Sequence, residues 1–504
     1  MAEYILAHDI GTSGDKASLF RTDGLLVDSV TMAYETHYPH PGWAEQDADE
    51  WWRAVCESTS KLMADRDPRD VRAIGVSGMM MACLPVGYDG RPLSRCIIWS
   101  DARAEEECRL MDERLGKEYI SRHTGQPLSP NYSLPKIMWF RKHYPELIDK
   151  TKVFLQVKDY INFRLTGEAY TDPTDAGCTL AYDLGEHGWS QTILDAVDVP
   201  VSVLPPVADC ETVIGTVTAE AAEACHLVPG IPVVANAGDG SAAHLGGRSI
   251  KNGDAYLCLG TSTWIQATTD RLYFDPQNRM QSEAHVVKDA FVYQGTMQTG
   301  GMAHAWCVES LMNNAYSYAD VDALVESCKP GAGGALFMPY LMGERSPWFD
   351  TKVNGAFLGL RLQTGPAQMM RAVMEGVGFN LKILLDVIRE HVDVREIVLI
   401  GGGARSRVWK QILADILDAA ILIPYNVEAG TSLGAAMIAG VGSGLYKDYS
   451  VVKDLLPIRE TIEPRPAYRG LYDRQAELFT QAYSALRDIN RGLFDLMQGT
   501  EETS

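Results

Sequence analysis

Ile5-Leu6-Ala7-His8-Asp9-Ile10-Gly11-Thr12-Ser13 opens the chain with an apolar run that ends in a carboxylate and then a glycine-threonine-serine turn. The same order returns at Tyr256-Leu257-Cys258-Leu259-Gly260-Thr261-Ser262-Thr263. Each run reads as a strand. Each turn reads as a place where the backbone comes close to a phosphate and offers N–H groups and hydroxyls to it. One unit used twice predicts two related domains. With the glycines aligned, Asp9 stands opposite Cys258, so only the first copy carries a carboxylate able to hold a divalent cation, directly or through water. The two halves are therefore expected to do different work. Lys16 follows the first turn at a spacing that puts its ammonium near the same phosphates, or leaves it a solvated strand residue.

The chain has 504 residues, 46% of them hydrophobic. Single cores stop growing at roughly 250–300 residues, so two domains are the expectation from size as well. A net charge of −21 supplies no basic face for nucleic acid or an anionic membrane surface, and neither is expected as a partner. The ten cysteines include no Cys-x-x-Cys pair, which fits reduced thiols in a cytoplasmic protein better than a disulfide frame or a zinc knuckle. The N-terminus lacks the basic region of a signal peptide, and no apolar run is long enough to cross a bilayer.

Strand candidates at Tyr4–Ala7, Lys16–Arg21 and Leu25–Ala33 form a meander, followed by a helix over Asp49–Asp65 and strands at Ala73–Ser77 and Cys96–Trp99. A charged helix is expected from about Asp101. The second half repeats the order with strands at Ala255–Leu259, Thr263–Ala267 and Ala290–Gln294, a long helix over Pro366–Glu390, a strand at Glu396–Ile400 and a helix over Arg407–Ala419. One or two amphipathic helices are expected over Tyr472–Gln498, and the region around Gly246-Gly247 is the one candidate for a flexible linker. Strands followed by alternating helices and strands make the fold class α/β.

Two further stretches carry chemistry. Val233-Val234-Ala235-Asn236-Ala237-Gly238-Asp239-Gly240-Ser241 runs a strand into a turn of small residues that displays one carboxylate. Asp239 there is either a general base for a substrate hydroxyl or a helix N-cap. Gly401-Gly402-Gly403-Ala404-Arg405-Ser406 follows a strand but lacks the Gly-x-Gly-x-x-Gly spacing of a dinucleotide site, which argues against a dehydrogenase.

Taken together, the motifs resemble those of the FGGY family of carbohydrate kinases along nearly the whole chain. Gly42-Trp43-Ala44-Glu45-Gln46-Asp47 with Trp51-Trp52, Ile98-Trp99-Ser100-Asp101-Ala102-Arg103, Pro135-Lys136-Ile137-Met138-Trp139 and Lys158-Asp159-Tyr160 are similar to its N-terminal motifs. Phe337-Met338-Pro339-Tyr340-Leu341, Gly343-Glu344-Arg345, Gly355-Ala356-Phe357-Leu358-Gly359-Leu360 through Glu375, and Gly434-Ala435-Ala436 are similar to its C-terminal ones. The resemblance is strongest to the xylulokinases within that family. It implies two actin-like/hexokinase-like (ribonuclease H-like) ATPase domains with an active-site cleft between them. Residues 1–246 would bind the sugar and carry the catalytic base, and residues 247–504 would bind ATP.

The resemblance also implies roles. Asp239 becomes the catalytic base, and Asp9 with Asp239 the Mg²⁺ carboxylates. Thr12, Ser13, Lys16, Gly260, Thr261 and Ser262 would contact phosphates, and Gly402, Gly403 and Ala404 would line the adenosine pocket. The sugar would lie against Met80, Met81, Trp99, Asp101, Asp239 and Gly240. The implied activity is phosphorylation of a ketopentose such as D-xylulose; L-xylulose, ribulose, fuculose, glycerol and other polyols remain alternatives, as does a non-kinase ATPase of the actin and Hsp70 type. Sugar or polyol and ATP are the expected partners, with a homodimer left open. Xylulokinases typically read Gln-Met-His-Gly where this chain has Met79-Met80-Met81-Ala82, and Asp-Asn where it has Asp239-Gly240. Both departures remove a polar partner from the sugar pocket, and the expectation is altered or weakened reading of hydroxyl stereochemistry.

Overall fold

The computed structural model describes residues 3–425 and 430–501. Its frame is a pair of mixed sheets. In the first, β1 (Tyr4–Ile10), β2 (Gly14–Arg21) and β3 (Leu26–Ala33) are the meander expected from the sequence, and β4 (Val71–Gly78) lies parallel to β1. With β5 (Val213–Thr216) and β6 (Pro232–Val234) the order across the sheet is β5-β6-β4-β1-β2-β3. Central β1 is buried along most of its length, as a strand covered on both faces must be, whereas edge strand β3 alternates between covered and exposed. Gly14 starts β2 because a side chain there would meet the Met32 carbonyl oxygen at 2.5 Å.

The second sheet repeats this plan. Strands β7 (Ala255–Leu259), β8 (Thr263–Thr269), β9 (Gln281–Ala284), β10 (Phe291–Met297), β11 (Glu396–Ile400), β12 (Ala420–Pro424) and β13 (Ile458–Ile462) run in the order β9-β10-β8-β7-β11-β12-β13. In both halves an antiparallel triplet is followed by two strands parallel to its inner member, β4 and β6 beside β1, β11 and β12 beside β7. The duplication expected from the two turns is therefore a duplication of topology.

Helix α1 (Ala48–Met63) covers the outer face of the first sheet, where Trp51, Val55 and Leu62 meet Leu6, Leu19 and Val76. The outer face of the second sheet lies under α2 (Pro366–Arg389), α3 (Arg407–Leu417) and α5 (Arg469–Glu501). The tail is thus one continuous helix. Between the sheets run the helix Asp239–Gly246 and α4 (Gly430–Gly442). Leu433 to Ala439 pack on Ile5, Ala7 and Ala73 of the first sheet, although α4 comes from the second half of the chain.

Three local expectations change. Gly246-Gly247 is a packing point and not a flexible linker, since a side chain on Gly246 would meet the Gly430 carbonyl oxygen at 1.9 Å and one on Gly247 would strike Tyr256. Only Cys96–Ile97 of the expected Cys96–Trp99 strand is extended, paired with Glu45–Gln46 outside the main sheet. The charged helix starts at Glu105, leaving Asp101 in the turn before it. Among the described residues no helix is long and apolar enough to cross a membrane.

Candidate active site

Parallel strands of the first sheet all point their carboxyl ends to one place, the usual ligand-binding edge of an open α/β sheet. Asp9 lies near the end of β1, in register with Lys16 on one side and Ser77 on the other, and Gly238 bridges to Gly78 just beyond β6. Asp239 is the first residue of its helix, with Gly238 as the cap residue, and its Oδ1 accepts the Gly240 N–H at 2.7 Å. Both carboxyls are held above the ordinary range. Burial raises Asp9 to about 7, helped by the charges of Asp239 and Asp15 and opposed by Lys16. Burial also raises Asp239 to about 6 against the Gly240 bond. Two hard oxygen donors whose ionised forms are costly suit a divalent cation such as Mg²⁺.

Both Gly-Thr-Ser turns are pinned from behind through their carbonyls. Gly11 O accepts the Tyr34 hydroxyl, and Thr12 O accepts Gln46 Nε2 at 2.7 Å. In the second turn Gly260 O takes the Gly301 N–H at 2.7 Å, and Thr261 O takes those of Gly300 and Met302 at 3.0 and 3.1 Å. A trans peptide points its N–H opposite to its C=O. The N–H groups of Thr12 and Ser13, and of Thr261 and Ser262, are accordingly turned away from those anchors. Both turns share this device, but Cys258 stands where the first has Asp9, and burial lifts its thiol to about 12.

A cavity of about 910 Å³ opens beside the second turn. Gly260 and Thr261 line it, as do Gly402, Gly403 and Ser406. Ala404 does not: it is buried in the core under the turn, which is where its methyl group is most stable. His304, Tyr318 and Trp409, which no sequence motif marks, form an aromatic part of the lining. His304 stacks on both neighbours, with ring centroids 5.4 Å from Tyr318 and 5.2 Å from Trp409. Burial lowers its pKa to about 4, so the ring is neutral, and its Nε2 finds no hydrogen-bond partner among the described residues.

On the other side of Asp9 lie the residues expected to meet a sugar. Met79 is core. Met80 covers Gly238 so closely that a side chain on that glycine would meet its sulfur at 2.7 Å. Met81 has φ 62°, a left-handed conformation uncommon for a residue with a side chain, and packs against the apolar cluster that contains Cys83, Ile97 and Trp139. Its carbonyl is held by Lys136, a fully buried lysine whose Nζ also donates to Ile98 O at 2.8 Å and to Asn131 O. Trp99 is 40% exposed and donates from Nε1 to Thr12 Oγ1 at 2.9 Å, which ties its own turn to the first Gly-Thr-Ser turn. Asp101 is fully buried. Its oxygens are engaged by the Arg103 guanidinium and the Ala44 N–H, so it braces the Trp99 turn and presents no free oxygen to the cleft. From the second lobe comes Glu283, raised to about 7 by burial and by the charge of Asp239, a residue that sequence spacing gave no reason to place here.

Residues 4–246 match the N-terminal domain of the FGGY family of carbohydrate kinases, and residues 255–443 match the C-terminal domain of the same family. The xylulose kinase of Escherichia coli K12 is 31% identical over 481 residues, covering 95% of this chain and 98% of that protein. A gluconokinase of Bacillus licheniformis is 29% identical, with 97% of each chain covered. Among solved structures, a xylulose kinase from Rhodospirillum rubrum superposes with a TM-score of 0.90 at 29% identity, covering 97% of this chain and all of that one. A gluconate kinase from Lactobacillus acidophilus superposes at 0.91 with 27% identity, covering 96% and 98%. Two matched domains that take in the first sheet and all but the last strand of the second, and relatives aligned over almost their full length, lead to one assignment: the chain belongs to the FGGY family of carbohydrate kinases.

Proposed function

We propose that the protein is an ATP-dependent kinase of a ketopentose, with D-xylulose to D-xylulose 5-phosphate as the first reaction to test. The observation that carries this reading is the convergence of Asp9 and Asp239 at one sheet edge, with a second Gly-Thr turn and a nucleotide-sized cavity on the other lobe. The two lobes are the domains 1–246 and 247–504 in chain terms, and their shared strand plan supports a ribonuclease H-like fold for each.

In this reading the ionised Asp239 carboxylate accepts the proton of the attacking sugar hydroxyl, a contribution of about 10²–10⁴ in rate. Asp9 and Asp239 would hold Mg²⁺, which when bound would offset phosphate charge. Thr12, Ser13, Thr261 and Ser262 would hold phosphate oxygens through the N–H groups that their pinned carbonyls turn forward, with Lys16 and Gly260 beside them. Gly402 and Gly403 would lie against the adenosine, and His304 Nε2 would meet the base. Positioning of this kind supplies most of the catalysis of phosphoryl transfer, which asks little covalent work of the protein. Met80, Met81, Trp99 and Gly240 would contact the sugar, with Asp101 bracing Trp99.

The E. coli and R. rubrum relatives, both named for xylulose, support that substrate. A second reading, another polyol or an aldonate, draws on the gluconate-named relatives and on Met81, Ala82 and Gly240, where a hydroxyl-reading imidazole and amide are missing. A coupled ADP-release screen over ketopentoses, polyols and aldonates separates them. D-Xylulose is expected to stimulate ADP release most; greater stimulation by another compound reassigns the substrate, and ATP turnover indifferent to every compound favours a non-kinase ATPase.

A further inference from the structure

Beneath the Asp239 loop lies a fully buried cluster that the chemistry above does not use. Lys158 Nζ stands 2.5 Å from Asp159 Oδ1, 2.6 Å from Asp172 Oδ2 and 3.2 Å from Asp175 Oδ2, and all four side chains are out of contact with solvent. The three carboxylates lie close enough together to hold a metal ion, but the Lys158 ammonium is the cation already among them. The cluster therefore acts as a fixed point. Asp172 uses its other oxygen, Oδ1, to accept the Thr174 N–H at 2.8 Å and the Thr174 hydroxyl at 2.5 Å. Thr174 Oγ1 in turn accepts the Gly238 N–H at 2.9 Å.

Gly238 has no side chain to pack. Its position rests on the bonds of its own backbone: the bridge to Gly78, the N–H given to the Thr174 hydroxyl, and the carbonyl that accepts the Ala242 N–H at 2.9 Å; the next residue is Asp239. The cluster reaches the sugar side as well. Gln156 Nε2 donates to Asp175 O at 2.6 Å, and Gln156 Oε1 accepts the Ala82 N–H at 3.0 Å, just past Met80 and Met81. We propose that Thr174, anchored through Asp172 on Lys158, is the positioning residue that sets the Asp239 carboxylate for proton transfer. This rests on the reading of Asp239 as the base. The physical reason is the steep dependence of rate on placement, where an error of about 1 Å costs about 10²-fold.

The experiment compares Thr174→Val, which keeps the shape and removes the hydroxyl, with Thr174→Ser, which keeps the hydroxyl. For the valine variant kcat is expected to fall about 10–100-fold, with nucleotide affinity in the absence of sugar, read from intrinsic fluorescence, within about twofold of the native protein. The serine variant is expected to retain kcat within about threefold. Amide exchange at Gly238 should accelerate in the valine variant and stay protected in the serine variant. Equal losses in both variants, an undiminished kcat in the valine variant, or nucleotide affinity falling in step with kcat would each overturn the proposal. Should the valine variant fail to accumulate, the serine variant with slowed turnover or an unprotected Gly238 amide would overturn it equally. The base assignment fails separately, by normal turnover in Asp239→Asn, and the Gly238 exchange result does not depend on that outcome.

Discussion

Asp239→Asn is expected to lose activity and gain stability together. On the activity side the carboxamide cannot accept the hydroxyl proton, and kcat should fall by about 10²–10⁴. On the stability side, burial moves the Asp239 pKa from 3.8 to about 6. A raised folded-state pKa means that the folded protein holds the proton more tightly than the unfolded chain, so stability is lost as pH rises from the unfolded value through the folded one. At about 1.4 kcal/mol per unit, the raised pKa of Asp239 costs the nucleotide-free protein about 1 kcal/mol at pH 4.5, where the folded state holds a proton that the unfolded chain has released, and about 3 kcal/mol at pH 7.5, where the carboxylate is ionised in both. The amide bears no charge, and the Gly240 N–H, 2.7 Å from Oδ1, can still donate to its oxygen. The stability difference between variant and native protein should therefore grow by about 2 kcal/mol between those two pH values. Urea unfolding in a metal chelator at both values measures this, and the comparison cancels the pH-independent cost of burying an amide. Nucleotide affinity should be largely kept. A stability difference that does not change with pH would refute the desolvation argument, and turnover within tenfold of native would refute the base.

His304→Phe keeps the stack with Tyr318 and Trp409 but removes Nε2; the KM for ATP should rise about tenfold with kcat at saturating ATP unchanged, and preference over GTP should shrink. Met81→His, at a φ of 62° that histidine tolerates, should sharpen discrimination between ketopentose epimers by about tenfold or more, measured as ratios of kcat/KM. Gly434→Ala puts a methyl carbon 1.9 Å from the Ala242 carbonyl oxygen, a backbone atom that can yield only by moving the Asp239 helix. A loss of about 1–3 kcal/mol in urea unfolding, with reduced kcat, is expected.

What the sequence made legible is what is local. The apolar runs ending at Asp9 and Cys258 sit in strands because four or five neighbouring residues say so, and the Gly-Thr-Ser turns follow at once. The anchors of those turns are not local. Tyr34 and Gln46 reach the first from 23 and 34 residues away, and Gly300–Met302 reach the second from the far side of three strands, β8 to β10. The resemblance placed Asp101 among the sugar contacts, and nothing in the order of residues says that Arg103 folds back onto it. Ala404 was drawn into the adenosine pocket by its glycine neighbours, although a methyl group in a tight turn goes to the core when the core lies beneath it. His304 had no signal at all, since an isolated histidine in an apolar helix is more often structural; its unpaired Nε2 is visible only once Tyr318 and Trp409 are stacked against it.

The glycines around Gly246 carry the largest change of meaning. As sequence they suggested slack between domains; as structure they let the Asp239 helix and α4 cross with backbone nearly touching backbone, at Gly246 against Gly430 and at Gly434 against Ala242. Along the Asp239 helix Ala243 packs on Tyr256 and Cys258 of the second sheet, while its first turn is fixed to the first sheet through Gly238 and Gly78. α4 does the reverse, leaving the second half of the chain to lie on Ile5, Ala7 and Ala73. Each lobe thus holds one end of the other's inner helix. A carboxylate at the first residue of such a helix cannot keep its place if either lobe shifts alone, so the loop that bears Asp239 needs its own tie to the first lobe, and Thr174 on the buried Asp172–Lys158 pair is built to be that tie.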